Sequence, residues 1–134
     1  MSFQLQAQTK DTDKIEQLKI AYFTEKLDLS SAEAVKFWPV YNKHTKLYEK
    51  LRDQKWSDIK SKLNIIESLT NQEAKTLLDD YLNYKQARVD FRIEFVNELQ
   101  TVISPKQIMI LKKAEYDFHK KLLKQYQSDK SSKE

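Results

Sequence analysis

Not one of the 134 residues is glycine. Without it a chain has no easy route to the left-handed backbone that tight turns, phosphate-cradling loops and dinucleotide fingerprints use, which argues against P-loop and Rossmann sites. Only two prolines are present, so the composition favours long helices joined by short links over a sheet with many hairpins. The length suits a single domain with one core.

Three near-copies of one phrase mark where helices begin: Leu29-Ser30-Ser31-Ala32-Glu33, Leu69-Thr70-Asn71-Gln72-Glu73 and Ile103-Ser104-Pro105-Lys106-Gln107. Each is an aliphatic residue, a hydroxyl residue, two variable positions and an acid or amide. That order is a capping box: the hydroxyl accepts from a first-turn N–H, and the carboxyl or amide reaches back to the cap's own N–H. The aliphatic residue can staple onto the fourth helical position, pairing Leu29 with Ala34, Leu69 with Ala74 and Ile103 with Ile108. Pro105 adds a helix-start mark, since its missing donor had no partner there anyway.

The expected fold is therefore all-α, with four helices at about 11–27, 31–66, 71–101 and 105–126 in an elongated hairpin or cradle, and no strands. The first opens on Asp11 and Asp13, which suit the positive end of a helix dipole. It carries two stripes, Ile15-Leu18-Tyr22 and Ile20-Phe23-Leu27. The second has a seam of Ala34, Phe37, Tyr41, His44, Tyr48 and Leu51 at steps of three and four, a kink expected at Pro39, and a weak stretch from Asp53 to Ser57. In the third, Leu78, Leu82, Val89, Ile93 and Val96 line one side. Leu77, Tyr81, Tyr84, Phe91, Phe95 and Leu99 widen it beyond what one neighbour can cover, so this helix is either the central element of the monomer or part of a subunit interface, and a homodimer is expected. The fourth turns Ile108, Leu111, Ala114, Phe118 and Leu122 inward. Residues 127–134 hold only polar and charged side chains and read as a disordered tail.

Charge is uneven. The net charge is +4; the second and fourth expected helices each carry +4, the first −1 and the third −2. This permits acidic partners without demanding nucleic acid. There is no cysteine, so thiolate chemistry and disulfides are excluded. No run of about 18 apolar residues is present to span a membrane. Ser2 to Gln8 is uncharged and partly apolar, with a small residue suited to cleavage after Ala7; residues 1–7 read as a signal-peptide remnant and 8–126 as the mature domain.

The three phrases resemble the repeated LTxxQ motif of the Spy/CpxP-type proteins of the bacterial envelope. Lys19-Ile20-Ala21-Tyr22-Phe23-Thr24-Glu25-Lys26-Leu27 running into Leu29-Ser30, and Phe37-Trp38-Pro39-Val40-Tyr41-Asn42, are similar to members described as sensors of extracytoplasmic-function sigma factors. The resemblance covers residues 12 to 126. It implies small all-α hairpins, paired in a periplasmic cradle, that act as ATP-independent chaperones or as stress or metal sensors. Ser30, Glu33, Glu73, Ile103 and Ser104 depart from the motif but keep its capping chemistry.

Candidate sites follow. His44 lies on the aromatic seam, but Val40 and Tyr48, one turn away, are poor metal ligands, so a hydrogen-bonded core-edge role is expected. His119 has Glu115 four residues earlier, a spacing that suits an ion pair as well as a metal. Asp79 and Asp80 diverge by about 100 degrees on a helix and cannot share a proton. Phe37, Trp38, Tyr41 and Tyr48 read as core rather than base-stacking residues. Lys112-Lys113 and Lys120-Lys121 read as a solvated basic face. No catalytic constellation, metal site or cofactor site is expected, and the chain reads as a non-enzyme. Its expected work is binding unfolded proteins through Trp38, Lys43, Lys46, Tyr48, Lys50, Arg52 and Trp56; the rival reading is a sensory module that restrains a membrane-anchored regulatory protein.

Overall fold

The computed structural model of the protein describes the backbone of residues 2–132 and the side chains of 12–125 and Gln127. Met1, residues 133–134 and the side chains behind the cleavage-site reading lie outside the described residues. Helices account for nearly all of it: α1 (Ser2–Leu27), α2 (Ser31–Leu51), a π-helical turn (Arg52–Trp56), α3 (Ser57–Leu63), a 3-10 turn (Ile66–Ser68), α4 (Asn71–Leu99) and α5 (Pro105–Ser132). The π turn joins α2 and α3 into one interrupted rod, so four rods run in sequence. Among the described residues there is no strand.

Several ends differ from expectation. α1 starts at Ser2 rather than near Asp11, because Gln, Leu and Ala are good helix formers and nothing there breaks the ladder. The second rod stops at Leu63 rather than 66; Asn64 caps it, and Ile65 leaves helical geometry at φ −119°, ψ 23°. α4 ends at Leu99 rather than 101. α5 continues to Ser132, so the helix covers most of the stretch that composition assigned to a disordered tail; adding residues to an existing helix is far easier than starting one. Pro39 lies inside α2 and does not end it.

The chain divides into two compact units, Met1–Ala34 with Ile103–Glu134, and Val35–Val102. In the first, α1 packs along α5. Phe23, Leu27, Ile103, Ile108, Leu111 and Ala114 are buried, and the Phe118 ring meets Phe23 edge-on at 5.9 Å and Tyr22 at 5.6 Å. Each of the two α1 stripes is used only at its C-terminal end, Tyr22 of one and Phe23 and Leu27 of the other, since Ile15, Leu18 and Ile20 are exposed.

In the second unit, Phe37 and Tyr41 stack at 5.6 Å and Tyr41 meets Phe95 of α4 at 6.0 Å. Farther along, Tyr48 meets Phe91 at 6.2 Å. A second cluster gathers Ile59, Leu77 and Tyr84, with Leu51, Trp56 and Leu69 against it. The π turn explains how one rod serves both. Leu51 to Trp56 is a five-residue step in a seam that elsewhere moves by three or four, and a π turn absorbs the extra residue. Trp56 thereby stacks on Tyr84 at 5.5 Å, with the rings 25° apart.

The α1–α2 corner supplies the left-handed residue that glycine would ordinarily provide. Asp28 has φ 50°. The Leu29 amide donates to the Thr24 carbonyl (3.3 Å) and the Asp28 amide to that of Glu25 (3.2 Å), which is the Schellman pattern with aspartate at the turning position. Asp tolerates this region better than most residues, because its short side chain can bond locally.

Candidate functional site

All three capping boxes form. The Ser30 amide donates to Glu33 Oε1 and the Glu33 amide to Ser30 Oγ, both at 3.1 Å. Thr70 and Glu73 make the same exchange at 3.0 and 3.1 Å, and Ser104 and Gln107 at 2.9 and 3.1 Å. Leu29 and Leu69 are half-buried beside their caps, and Ile103 is buried.

The first and third boxes are also joined to each other, which the sequence motif does not reveal. Gln107 Nε2 donates to Glu33 Oε2 (3.2 Å) and to the backbone carbonyl of Leu27 (3.1 Å), the last residue of α1. One amide thus caps α5, receives the carboxylate of the α2 cap and closes the C-terminus of α1. The backbone N–H of Ser30, then Gln107 and the Ser30 hydroxyl, hold the Glu33 carboxyl below its ordinary value. Glu73 is lowered by Thr70 alone, through its backbone and then its hydroxyl.

A basic groove of about 350 Å³ lies in the same unit, lined by Tyr22, Asp117, Lys120, Lys121 and Lys124. Two ammonium groups rest over the Tyr22 ring, Lys121 at 4.8 Å and Lys26 at 5.5 Å, and Lys120 lies 4.7 Å over Tyr116. The ring face is electron-rich, so it holds cations beside one another. Asp117 accepts from Lys113 at 2.7 Å, and that bond depresses its carboxyl and raises the Lys113 amine. Ile15 and Leu18, two turns and one turn before Tyr22 on α1, are exposed.

In the other unit, His44 is 5 % exposed. Its Nε2 lies 2.7 Å from Glu98 Oε2 and its ring 4.9 Å from Phe95. Lys43 Nζ donates to both oxygens of the same carboxylate at 2.7 Å. Glu98 is held below the ordinary carboxylate value first by the Lys43 bond and then by His44. His44 thus occupies a hydrogen-bonded position at the edge of the core; Glu98 was indistinguishable in sequence from the other acids of its helix.

The seven residues expected to form one binding surface separate. Lys43, Lys46 and Lys50 lie exposed on one side of α2. Trp38, half-buried, packs edge-on against Phe37 and Tyr41. The Tyr48 hydroxyl donates to the Arg88 carbonyl at 3.0 Å, and Trp56 lies on Tyr84. Arg52 is exposed beside Asp53. The three aromatics are therefore packing residues of their unit.

His119 is exposed on α5 and Glu115 half-buried. Among the described residues no three His, Cys, Asp or Glu side chains converge as a metal site requires. Asp79 pairs with Lys75 at 2.6 Å, while Asp80, with Lys55, Asp58 and Tyr84, lines a cleft of about 200 Å³ beside the π turn. None of the described helices is long and apolar enough to cross a membrane. No family model, curated protein or solved structure matches the chain.

Proposed function

We propose that this chain is a periplasmic protein of Spy/CpxP type that holds unfolded or partner proteins without ATP and without catalysing a reaction. The observation that carries this reading is the Tyr22 groove: a ring with two ammonium groups over it, further lysines along α5, and exposed Ile15 and Leu18 leading up to it. Lysines attract acidic or unfolded chains at long range, and short aliphatic and aromatic contacts retain them briefly. The basic and apolar members lie together here, whereas on α2 they are on different sides.

Light scattering of a reduced, aggregating client protein tests the reading. A stoichiometric amount of this chain slows aggregation, and the triple variant Lys120→Glu, Lys121→Glu, Lys124→Glu, still helical by circular dichroism, loses most of that effect. Undiminished aggregation with the parent chain rejects the proposal. The rival sensory role rests on the half-enclosed Lys43–Glu98–His44 group, a titratable contact between two helices. One dominant membrane protein recovered from envelope extract, lost in Glu98→Gln, supports that role over general client binding.

A further inference from the structure

α5 buries one side against its own unit and carries a second apolar line on the other. Leu111 and Ala114 are buried, whereas Met109, Tyr116 and Leu123 are 66, 62 and 47 % exposed. At 100° per residue the buried pair lies about 140 to 160° round the helix from Tyr116. The exposed three follow one another at steps of seven, so they fall within an arc of about 40° and rise along about 21 Å of helix. They form a ridge at the outer pole of α5.

Cations border this ridge on both sides. Lys112 and His119 lie about 40 to 60° from Tyr116 on one flank, and Lys120, Lys113, Lys106 and Lys124 about 40 to 80° away on the other; all six are exposed. The Lys120 amine rests 4.7 Å over the Tyr116 ring. The nearest acids of α5, Glu115 and Asp117, lie about 100° away to either side and are half-buried. Asp117 pairs with Lys113 at 2.7 Å, while Lys106, Lys112, Lys120 and Lys124 form no ion pair with a described residue.

We propose that the outer face of α5 docks this chain on an anionic lipid bilayer, with the helix lying in the plane of the headgroups. Charge complementarity selects this occupant over a partner helix. Three and four residues after Met109 and Tyr116 stand Lys112, Lys113, His119 and Lys120, at the positions where a helix seam needs apolar side chains. A diffuse layer of phosphates accepts all of those cations at once. The ridge residues, about 10 Å apart along the axis, enter the headgroup boundary one by one, with the Tyr116 hydroxyl kept at the polar level. Lysines on both flanks lay their stems beside them and reach out to the phosphates. Lipid docking is independent of client holding: Lys120 and Lys124 also line the Tyr22 groove, but Met109, Lys112, Tyr116 and Leu123 do not.

Co-sedimentation of the full chain with vesicles tests the proposal. Phosphatidylcholine vesicles holding about 30 % phosphatidylglycerol are expected to carry the parent chain down at low salt, and pure phosphatidylcholine vesicles, or salt at about 0.5 M, to leave it in solution. Lys112→Glu is expected to weaken binding about tenfold or more, whereas Lys36→Glu, an equal change of charge at an exposed position of α2, leaves it close to the parent. Met109→Ser, Tyr116→Ser and Leu123→Ser combined, still helical by circular dichroism, are expected to lose most vesicle binding and to keep slowing client aggregation. The chain has no cysteine, so a polarity-sensitive dye on Met109→Cys or Leu123→Cys is expected to shift to the blue on anionic vesicles, and one on Val35→Cys to stay unchanged. A parent chain that ignores anionic vesicles at low salt overturns the proposal, as does binding that Lys36→Glu weakens as much as Lys112→Glu. A parent that binds vesicles yet fails to slow aggregation rejects client holding alone.

Discussion

The side-chain amide of Gln107 donates to the carboxylate of Glu33 across 3.2 Å. Each residue also completes its own capping box, so helix starts 74 residues apart in sequence share one hydrogen-bonded node. The acid in the first phrase and the amide in the third are complementary: one only accepts here, the other donates. Glu33→Gln places two amides face to face and is expected to lower the melting temperature more than Glu73→Gln, whose carboxylate serves its own box. Gln107→Ala loses the box, the Leu27 carbonyl and the Glu33 contact, and is expected to cost about 1–2 kcal/mol. Urea unfolding of the three variants ranks them.

Acid sensitivity follows from the carboxylates. The folded values of Glu33, Glu73 and Glu98 lie below the ordinary 4.5. Each contributes stability that is complete above that value and is lost as the pH falls through the lower folded one. The melting temperature is therefore expected to fall below pH 4.5. The difference between the parent and Glu98→Gln should narrow over the same range, because protonation removes the charge that the substitution deletes. Thermal melts from pH 6 to 3 check this; a constant difference contradicts it.

Asp28 holds a left-handed conformation at φ 50°, which glycine adopts without a Cβ clash. Asp28→Gly is expected to stabilise the fold by about 0.5–1 kcal/mol, with a raised denaturant midpoint as the readout. Asp28→Val, β-branched at a positive φ, is expected to destabilise it.

Pro39 is exposed within α2, where it offers no N–H to the preceding turn. Pro39→Ala restores that donor without emptying a packed site and is expected to stabilise by about 1–3 kcal/mol. Guanidinium unfolding followed by circular dichroism provides the measurement.

His44 and His119 should respond in opposite ways to truncation. His44→Ala removes a buried ring packed against Phe95 and is expected to cost about 2–3 kcal/mol. His119→Ala, on the exposed face of α5, is expected to stay within about 0.5 kcal/mol of the parent. Paired denaturation curves distinguish them.

Local chemistry made much of this legible. The capping phrases state their own hydrogen bonds, and the Phe37–Tyr41–His44 seam is readable as one face of a helix because its spacing is helical. The fading of that seam between Asp53 and Ser57 marks the place of the π turn without saying that an added residue, rather than a break, would occupy it. What could not be read is which distant groups meet. Glu98 is one of six acids on its helix until folding puts it beside Lys43 and His44. Both apolar faces of α4 are visible in sequence, and only the packing shows that Leu77, Tyr84 and Leu99 are the covered set. Helix ends at Ser2 and Ser132 escaped because composition says what has nothing to bury, while backbone propagation needs no core.

The α1–α2 corner leaves no slack. Asp28 and Leu29 donate back into α1, Ser30 and Glu33 lock each other, and Gln107 takes the Leu27 carbonyl. A pull on the first turn of α2 is thus transmitted to α1 and α5 instead of being absorbed by the link. In a pulling experiment these three helix termini should give way in a single event, at one force.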